Sequence, residues 1–175
     1  MRRSPSSGAL SSQGALTAAE RWRALRSEVI APILLLGSAG PAFSDYRAGT
    51  PSSWRGGAVG YGVRVGSHAG RLLVEAGATH GLAAATHLNL RFHPRKRGSV
   101  GARLRHAALG ALTARPPGGT RVPNAPRLVG TYGAALAQQC WQSGRMRPVD
   151  AARTTILALS VDVAVNVIAE FTGGS

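Results

Sequence analysis

The stretch VGYGVRVGSHAGRLLVEAGATHGLAAATH (residues 59–87) decides the fold. It contains no proline, and its spacing predicts one long helix from about Val59 to His87. Gly62, Gly66 and Gly70 repeat every four residues, Gly77 and Gly81 repeat the spacing later, and Gly56 and Gly60 stand four apart just before. Residues four apart lie above one another on a helix face, and a face of small residues lets another backbone approach closely. Each glycine costs a helix interior roughly 1 kcal/mol relative to alanine. A helix this rich in glycine therefore needs a compensating gain. The expectation is a glycine zipper, with the Gly62, Gly66, Gly70 face packed directly against another helix. Arg64, Arg71 and Glu75 interrupt the pattern and would be expensive in lipid unless paired or turned to the protein interior.

Upstream, SDYRAGTPSSWRGG (residues 44–57) reads as a turn-rich connector. Before it, Trp22, Leu25, Val29, Ile33 and Leu36 recur at helical spacing, predicting a helix from Ala18 to about Phe43. Thr17 and Glu20 have the spacing of a capping box at its start. Pro32 should kink it, because proline lacks the amide donor and clashes with the preceding turn; Gly37, Gly40 and Pro41 are expected to end it. Residues 1–16 are rich in Ser, Gly and Gln, without periodicity, and read as a disordered tail.

Downstream, LNLRFHPRKRG (residues 88–98) is a basic connector broken by Pro94. A third helix follows over about Val100–Ala114, and ARPPGGTRVPNAP ends it. A fourth spans roughly Pro126–Trp141, with Gly130 and Ala134, then Gly133 and Ala137, as further small pairs. The fifth runs over about Val149–Phe171, placing Ile156, Leu159, Val163, Val167 and Ile168 beside a polar line of Asp162, Asn166 and Glu170. The fold class is thus all-α, a compact bundle of about five helices forming one domain over residues 17–172.

Composition agrees. One domain is the prior at 175 residues. Hydrophobic residues make up 44% and aromatics only 5%, so the core must be built from small side chains at short distance. The formal charge of +14 rests almost wholly on arginine, since Lys96 is the single lysine. Such a balance attracts polyanions, including anionic lipid and nucleic acid, without choosing among them. The absence of interleaved aromatics in the run Arg91, Arg95, Lys96, Arg97, Arg103, Arg105 argues against specific nucleic-acid recognition. Arg2 and Arg3 are not followed by the apolar run of an ordinary secretory signal. The charge-free stretches Val29–Ser44 and Leu128–Ser143 fall short of the ~20 apolar residues of a clean spanning helix, while a mean hydropathy near zero, high for so charged a chain, leaves membrane contact open.

Chemistry-bearing groups give little. His68, His80, His87, His93 and His106 lack the spacing and the acidic partners of a metal site, and no metal or other cofactor is expected. Cys140, the one cysteine, reads as a small buried hydrophobe. No nucleophile elbow, phosphate loop or dinucleotide fingerprint is present, so the chain is read as non-enzymatic. The Asp162, Asn166, Glu170 stripe is a functional polar line, a solvated face or an internal link to arginine, and an internal link would take Arg64, Arg71, Arg103 or Arg127 as partners.

Several segments also carry a resemblance. PSSWRGGAVGYGVRVGSHAG (51–70), GARLRHAALGALTAR (101–115), Asn124 and Arg127 followed by GTYGAALAQQCW (130–141), and DVAVNVIAEF (162–171) occur in an order that resembles a family of bacterial envelope proteins with no assigned activity. The likeness covers about residues 20–171. It departs at LNLRFHP (88–94), which keeps Arg91 and Phe92 of an Asp-Pro-Arg-Tyr-Phe-like step but not its Asp-Pro. The resemblance implies a helical fold and an envelope location, and carries over no catalytic residue. The expected function is a structural or interaction role at a bacterial membrane, with cytoplasmic location the expectation if the missing signal is genuine. The alternative is a soluble basic module that binds a polyanion such as nucleic acid. An anionic membrane surface and a protein partner, self-association included, are the partner classes admitted.

Overall fold

The structure, a computed structural model, describes residues 19–20, 22–23, 32–95, 97–117 and 119–172. The tail over residues 1–16, Thr17 of the capping box and the approach to Pro32 lie outside the described residues. Among the described residues five helices make an all-α bundle: α1 (Pro32–Arg47), α2 (Gly57–Ala85), α3 (Val100–Leu112), α4 (Ala125–Ser143) and α5 (Pro148–Thr172). Packing runs in the order α1, α2, α4, α5, α3, with the closest association between α2 and α4.

Local chemistry sets the ends. Ser99 accepts the Ala102 amide at 3.4 Å and caps α3, and Asn124 accepts the Arg127 amide at 3.2 Å and caps α4. Gly144, at φ 65°, closes α4 in the left-handed conformation that a residue without Cβ adopts freely. After α2, the His87 amide bonds to the Ala84 carbonyl and the Leu88 amide to the Ala83 carbonyl, which is the Schellman pattern. His87 takes its left-handed position at φ 54°, and Leu88 is buried beneath.

Two expected boundaries shift. α1 does not stop at Gly37, Gly40 and Pro41 but runs through Pro41 to Arg47. Gly37, whose carbonyl would face the proline ring, stands at an exposed position, and Arg47 in the last turn complements the helix dipole. α3 ends at Leu112 rather than Ala114, because Thr113–Ala114 (β1) turns extended and pairs antiparallel with Val122–Pro123 (β2). Asn89 bridges to Arg115 beside this pair, fastening the loop after α2 to the loop after α3.

The interior is small and polar. Its buried apolar residues are alanines, Ala76, Ala83, Ala107, Ala134 and Ala151 among them, together with Leu88. The largest fully buried side chains are Arg64, Glu170, Thr131, Pro126 and Ser38. Large apolar side chains point outward instead, as Ile156 (63% exposed), Leu157 (68%), Val161 and Ile168 do along α5.

Candidate functional site

The site with the most chemistry is a charge network crossing α2, α4 and α5. It begins within one helix: Arg71 Nη1 donates to Glu75 Oε2 at 2.7 Å, the i, i+4 geometry of a helical ion pair. Glu75 is buried, and its other oxygen accepts from Thr131 Oγ1 at 3.1 Å and pairs with Arg127 Nη1 at 2.7 Å, both from α4. Arg127 is also the bridge to α5, donating from Nε and Nη2 to the two oxygens of Asp162 at 2.7 and 2.9 Å. This fork-to-carboxylate contact is the planar arrangement that favours arginine over lysine. Two cations and two anions therefore stand together inside the bundle.

A second cluster joins α5 to α3. Glu170, 1% exposed, accepts the Arg95 amide at 3.1 and 2.8 Å through its two oxygens and pairs with Arg103 Nε at 3.4 Å. Arg103 also donates to the Glu170 carbonyl and lies over the Phe171 ring, 4.1 Å from its centroid. Asn166, one turn earlier, donates to the Ala107 carbonyl at 3.3 Å. The polar line of α5 is thus an internal link and not a solvated face, and it divides between two helices: Asp162 meets α4, whereas Asn166 and Glu170 meet α3. Of the arginines expected as partners, Arg71, Arg103 and Arg127 belong to the two clusters.

Arg64 does not. It is buried at the start of α2, where Nε donates to the Thr50 carbonyl at 2.7 Å and Nη1 to the Gly60 carbonyl at 2.9 Å. Longer bonds reach the Arg55 and Pro51 carbonyls, and the guanidinium sits 5.7 Å from the ring centroids of both Tyr46 and Trp54. It is too early on α2 to reach Asp162 or Glu170. Instead it ties down the connector between α1 and α2.

The glycine expectation needs correction. A Cβ added at Gly62, Gly66, Gly77, Gly81 or Gly133 would meet nothing within 4 Å, and one at Gly70 would only touch Trp141, at 3.8 Å. The stripe on α2 faces away from the bundle. The opposite face carries Arg64, Ser67 and Glu75, whose polar groups find partners inside the bundle, and this demand outranks close backbone approach in choosing which face turns inward. Close approach occurs at Gly130, where a Cβ would overlap Thr79 Oγ1 and lie 3.0 Å from the Thr79 amide nitrogen and 3.2 Å from the Glu75 carbonyl oxygen. Gly60 and Gly110, absent from the expected set, are also closed, the first by the Arg55 carbonyl and the second by the Phe92 ring.

Gly66 and Gly70 floor an open groove of about 410 Å³, walled by Trp54, Val63, Val74 and Trp141. At its base Ser67 Oγ accepts from Trp141 Nε1 at 2.9 Å and Gln142 Nε2 at 3.0 Å. Cys140, expected to be buried, is exposed on the last turns of α4. His68 pairs with Asp45 at 2.8 Å, and His106 accepts from Arg121 while its other nitrogen lies 3.0 Å from the His93 carbonyl. Among the described residues no three His, Cys, Asp or Glu side chains stand together as a metal-ligand group.

Comparison with protein-family models, with curated proteins and with solved structures finds no match to this chain. α5 is long and apolar enough to cross a membrane, with a mean hydropathy of 1.6 over its most apolar window.

Proposed function

We propose that this chain is a non-enzymatic, membrane-embedded helical bundle with a structural or interaction role. The observation that carries the reading is the inversion of its side chains, with alanine and polar or charged groups inside and large aliphatic residues outside. In water this arrangement forfeits the main driving force of folding, since burial of large apolar side chains supplies it. In a bilayer the lipid solvates the apolar exterior. Helices then associate through small residues and interhelical hydrogen bonds, and ionisable groups face the interior in pairs.

The distribution of charge supports the same reading. Within α2 and α4, and in α5 beyond Arg153, every aspartate, glutamate and arginine is buried or held in an ion pair. The exposed Arg47, Arg55, Arg91, Arg95, Arg97, Arg115, Arg145 and Arg147 lie in connectors or at helix ends, while Arg105 on α3 and Arg153 in the second turn of α5 are exposed within helices. α4 and α5, at 19 and 25 residues, rise by roughly 28 and 38 Å at 1.5 Å per residue, against a hydrocarbon core of about 30 Å. The resemblance drawn from the sequence would place this membrane in a bacterial envelope.

Fractionation of cells producing the full chain tests the proposal. The chain should stay in the membrane pellet through a high-salt wash and then through alkaline carbonate. Release by salt alone would reject embedding and favour a soluble module that binds polyanions.

A further inference from the structure

The loop after α2 folds back along α3 and brings arginines from three chain segments to one end of the molecule. Phe92 packs against Gly110 and lies 5.5 Å from the His106 ring, the His93 carbonyl meets His106, and Asn89 pairs with Arg115. Arg121 Nη2 donates to His106 Nδ1 at 3.1 Å from the loop after β1. These contacts hold together the segments that carry Arg91, Arg95, Arg97, Arg105, Arg115 and Arg121, and Arg115 stands near enough to Arg121 to act on its charge. None of these guanidinium groups pairs with a carboxylate among the described residues: Asp45, Glu75, Asp150 and Asp162 are engaged elsewhere, and Glu170 takes the Arg95 backbone amide and the Arg103 side chain. Burial, and secondarily the neighbouring Arg115 cation, lower the pKa of Arg121 from the ordinary guanidinium value.

An uncompensated guanidinium cluster fits phosphate, which it can hold through paired N–H donors. What adjoins the cluster identifies the source of the phosphate. Leu104 and Leu109 on α3 and Val165, Ile168 and Phe171 on α5 are exposed at the same end, and a nucleic acid would leave this apolar surface in water. A headgroup phosphate with acyl chains below it covers both.

We propose that this arginine collar binds the phosphates of anionic phospholipids, so that the end of the molecule formed by α3 and the last turns of α5 sits at the membrane surface. The inference rests on the membrane reading above and adds the lipid class and the face that meets it.

The test uses the full chain, first in vesicles of pure phosphatidylcholine and then in neutral detergent. In detergent its thermal unfolding midpoint is followed as phosphatidylglycerol or phosphatidylcholine with the same acyl chains is added. The chain should remain with the phosphatidylcholine vesicles through a high-salt wash, and phosphatidylglycerol should raise the midpoint further than phosphatidylcholine does. A variant combining R91Q, R97Q, R105Q and R115Q should lose that difference, while one combining R47Q, R55Q, R145Q and R147Q should keep it. At roughly five-fold in affinity for each arginine near an anionic surface, the first variant, which removes four, should bind phosphatidylglycerol about 600-fold more weakly. Should it fail to fold, Arg105→Gln and Arg115→Gln taken singly should each show the five-fold loss.

Equal loss in the two combined variants, no preference for phosphatidylglycerol, or an equal rise with inorganic phosphate or a short DNA duplex would overturn the collar and leave the membrane reading standing. A chain that salt strips from phosphatidylcholine vesicles would overturn the membrane reading itself.

Discussion

At Gly130 the bundle has room for a hydrogen and nothing more. A methyl group there would push into Thr79, whose hydroxyl is buried without a partner among the described residues, and into the α2 backbone. Overpacking of this kind costs about 1–3 kcal/mol, set against the roughly 1 kcal/mol by which alanine favours a helix over glycine. Gly130→Ala should therefore lower stability by about 1 kcal/mol, whereas Gly66→Ala, with open space around it, should raise it by up to about 1 kcal/mol. Unfolding of both variants in the same detergent checks the opposed signs. Arg64 makes a different kind of prediction. Its guanidinium holds carbonyls of the α1–α2 connector from several directions at once, which a lysine ammonium cannot reproduce. Arg64→Lys should speed tryptic cleavage after Arg55 in a time course, and an unchanged rate would remove Arg64 as the tie. The sequence marked Gly130 as one of several small pairs but could not single it out. Four-residue spacing says which residues share a face, and only the partner helix says whether that face is covered.

Among elements, the acidic line of α5 separates two strengths of attachment. The Glu170 side chain is wholly buried against α3, while that of Asp162 keeps 28% exposure against α4. Removing one partner of a buried pair costs about 3–5 kcal/mol and of an exposed pair under about 1 kcal/mol. Glu170→Ala should fall in the first range and Asp162→Ala between the two, as denaturation of each variant beside the parent would show. Equal losses below about 1 kcal/mol would mean that neither link holds the helices. Much at this scale was legible in the sequence. The order of five helices follows from periodicity and its breakers. The polar line of α5 was visible as a unit, although its direction, to solvent or to another helix, was not. The caps at Ser99 and Asn124 and the terminating Gly144 were not singled out, being set by local hydrogen bonds and backbone conformation. The β1–β2 pair was not, because two-residue strands leave no periodic signal. Nor was Glu75 as the junction of three helices: its spacing from Arg71 was visible, but Arg127 and Thr131 reach it only through tertiary packing.

For the whole molecule, the low aromatic content foretold a core of small side chains, and alanine supplies it. The outward placement of the glycine stripe was hidden, since it depends on polar groups of the opposite face competing for the interior. The inverted distribution predicts a direct spectroscopic result. With Trp22 and Trp54 replaced by phenylalanine, the remaining fluorescence of Trp141, which is partly exposed beside the groove, should be quenched by brominated lipid in reconstituted vesicles. Its persistence at full intensity would set the α4 surface apart from lipid. The charge network, finally, bears on how such a chain could be made. Arg71 and Glu75 neutralise each other inside α2, and Arg127 and Asp162 do so across the short α4–α5 hairpin. Among the ion pairs described, the Glu75–Arg127 contact is the one that requires α2 and the hairpin to meet, together with the Thr131–Glu75 and Trp141–Ser67 hydrogen bonds. On the membrane reading, a translocating machine could release α2 first and the hairpin second, each with that one ion pair already formed. Lateral docking through Glu75 would then be the closing step of biogenesis, the one a ribosome-stalled chain ending before α4 could never reach.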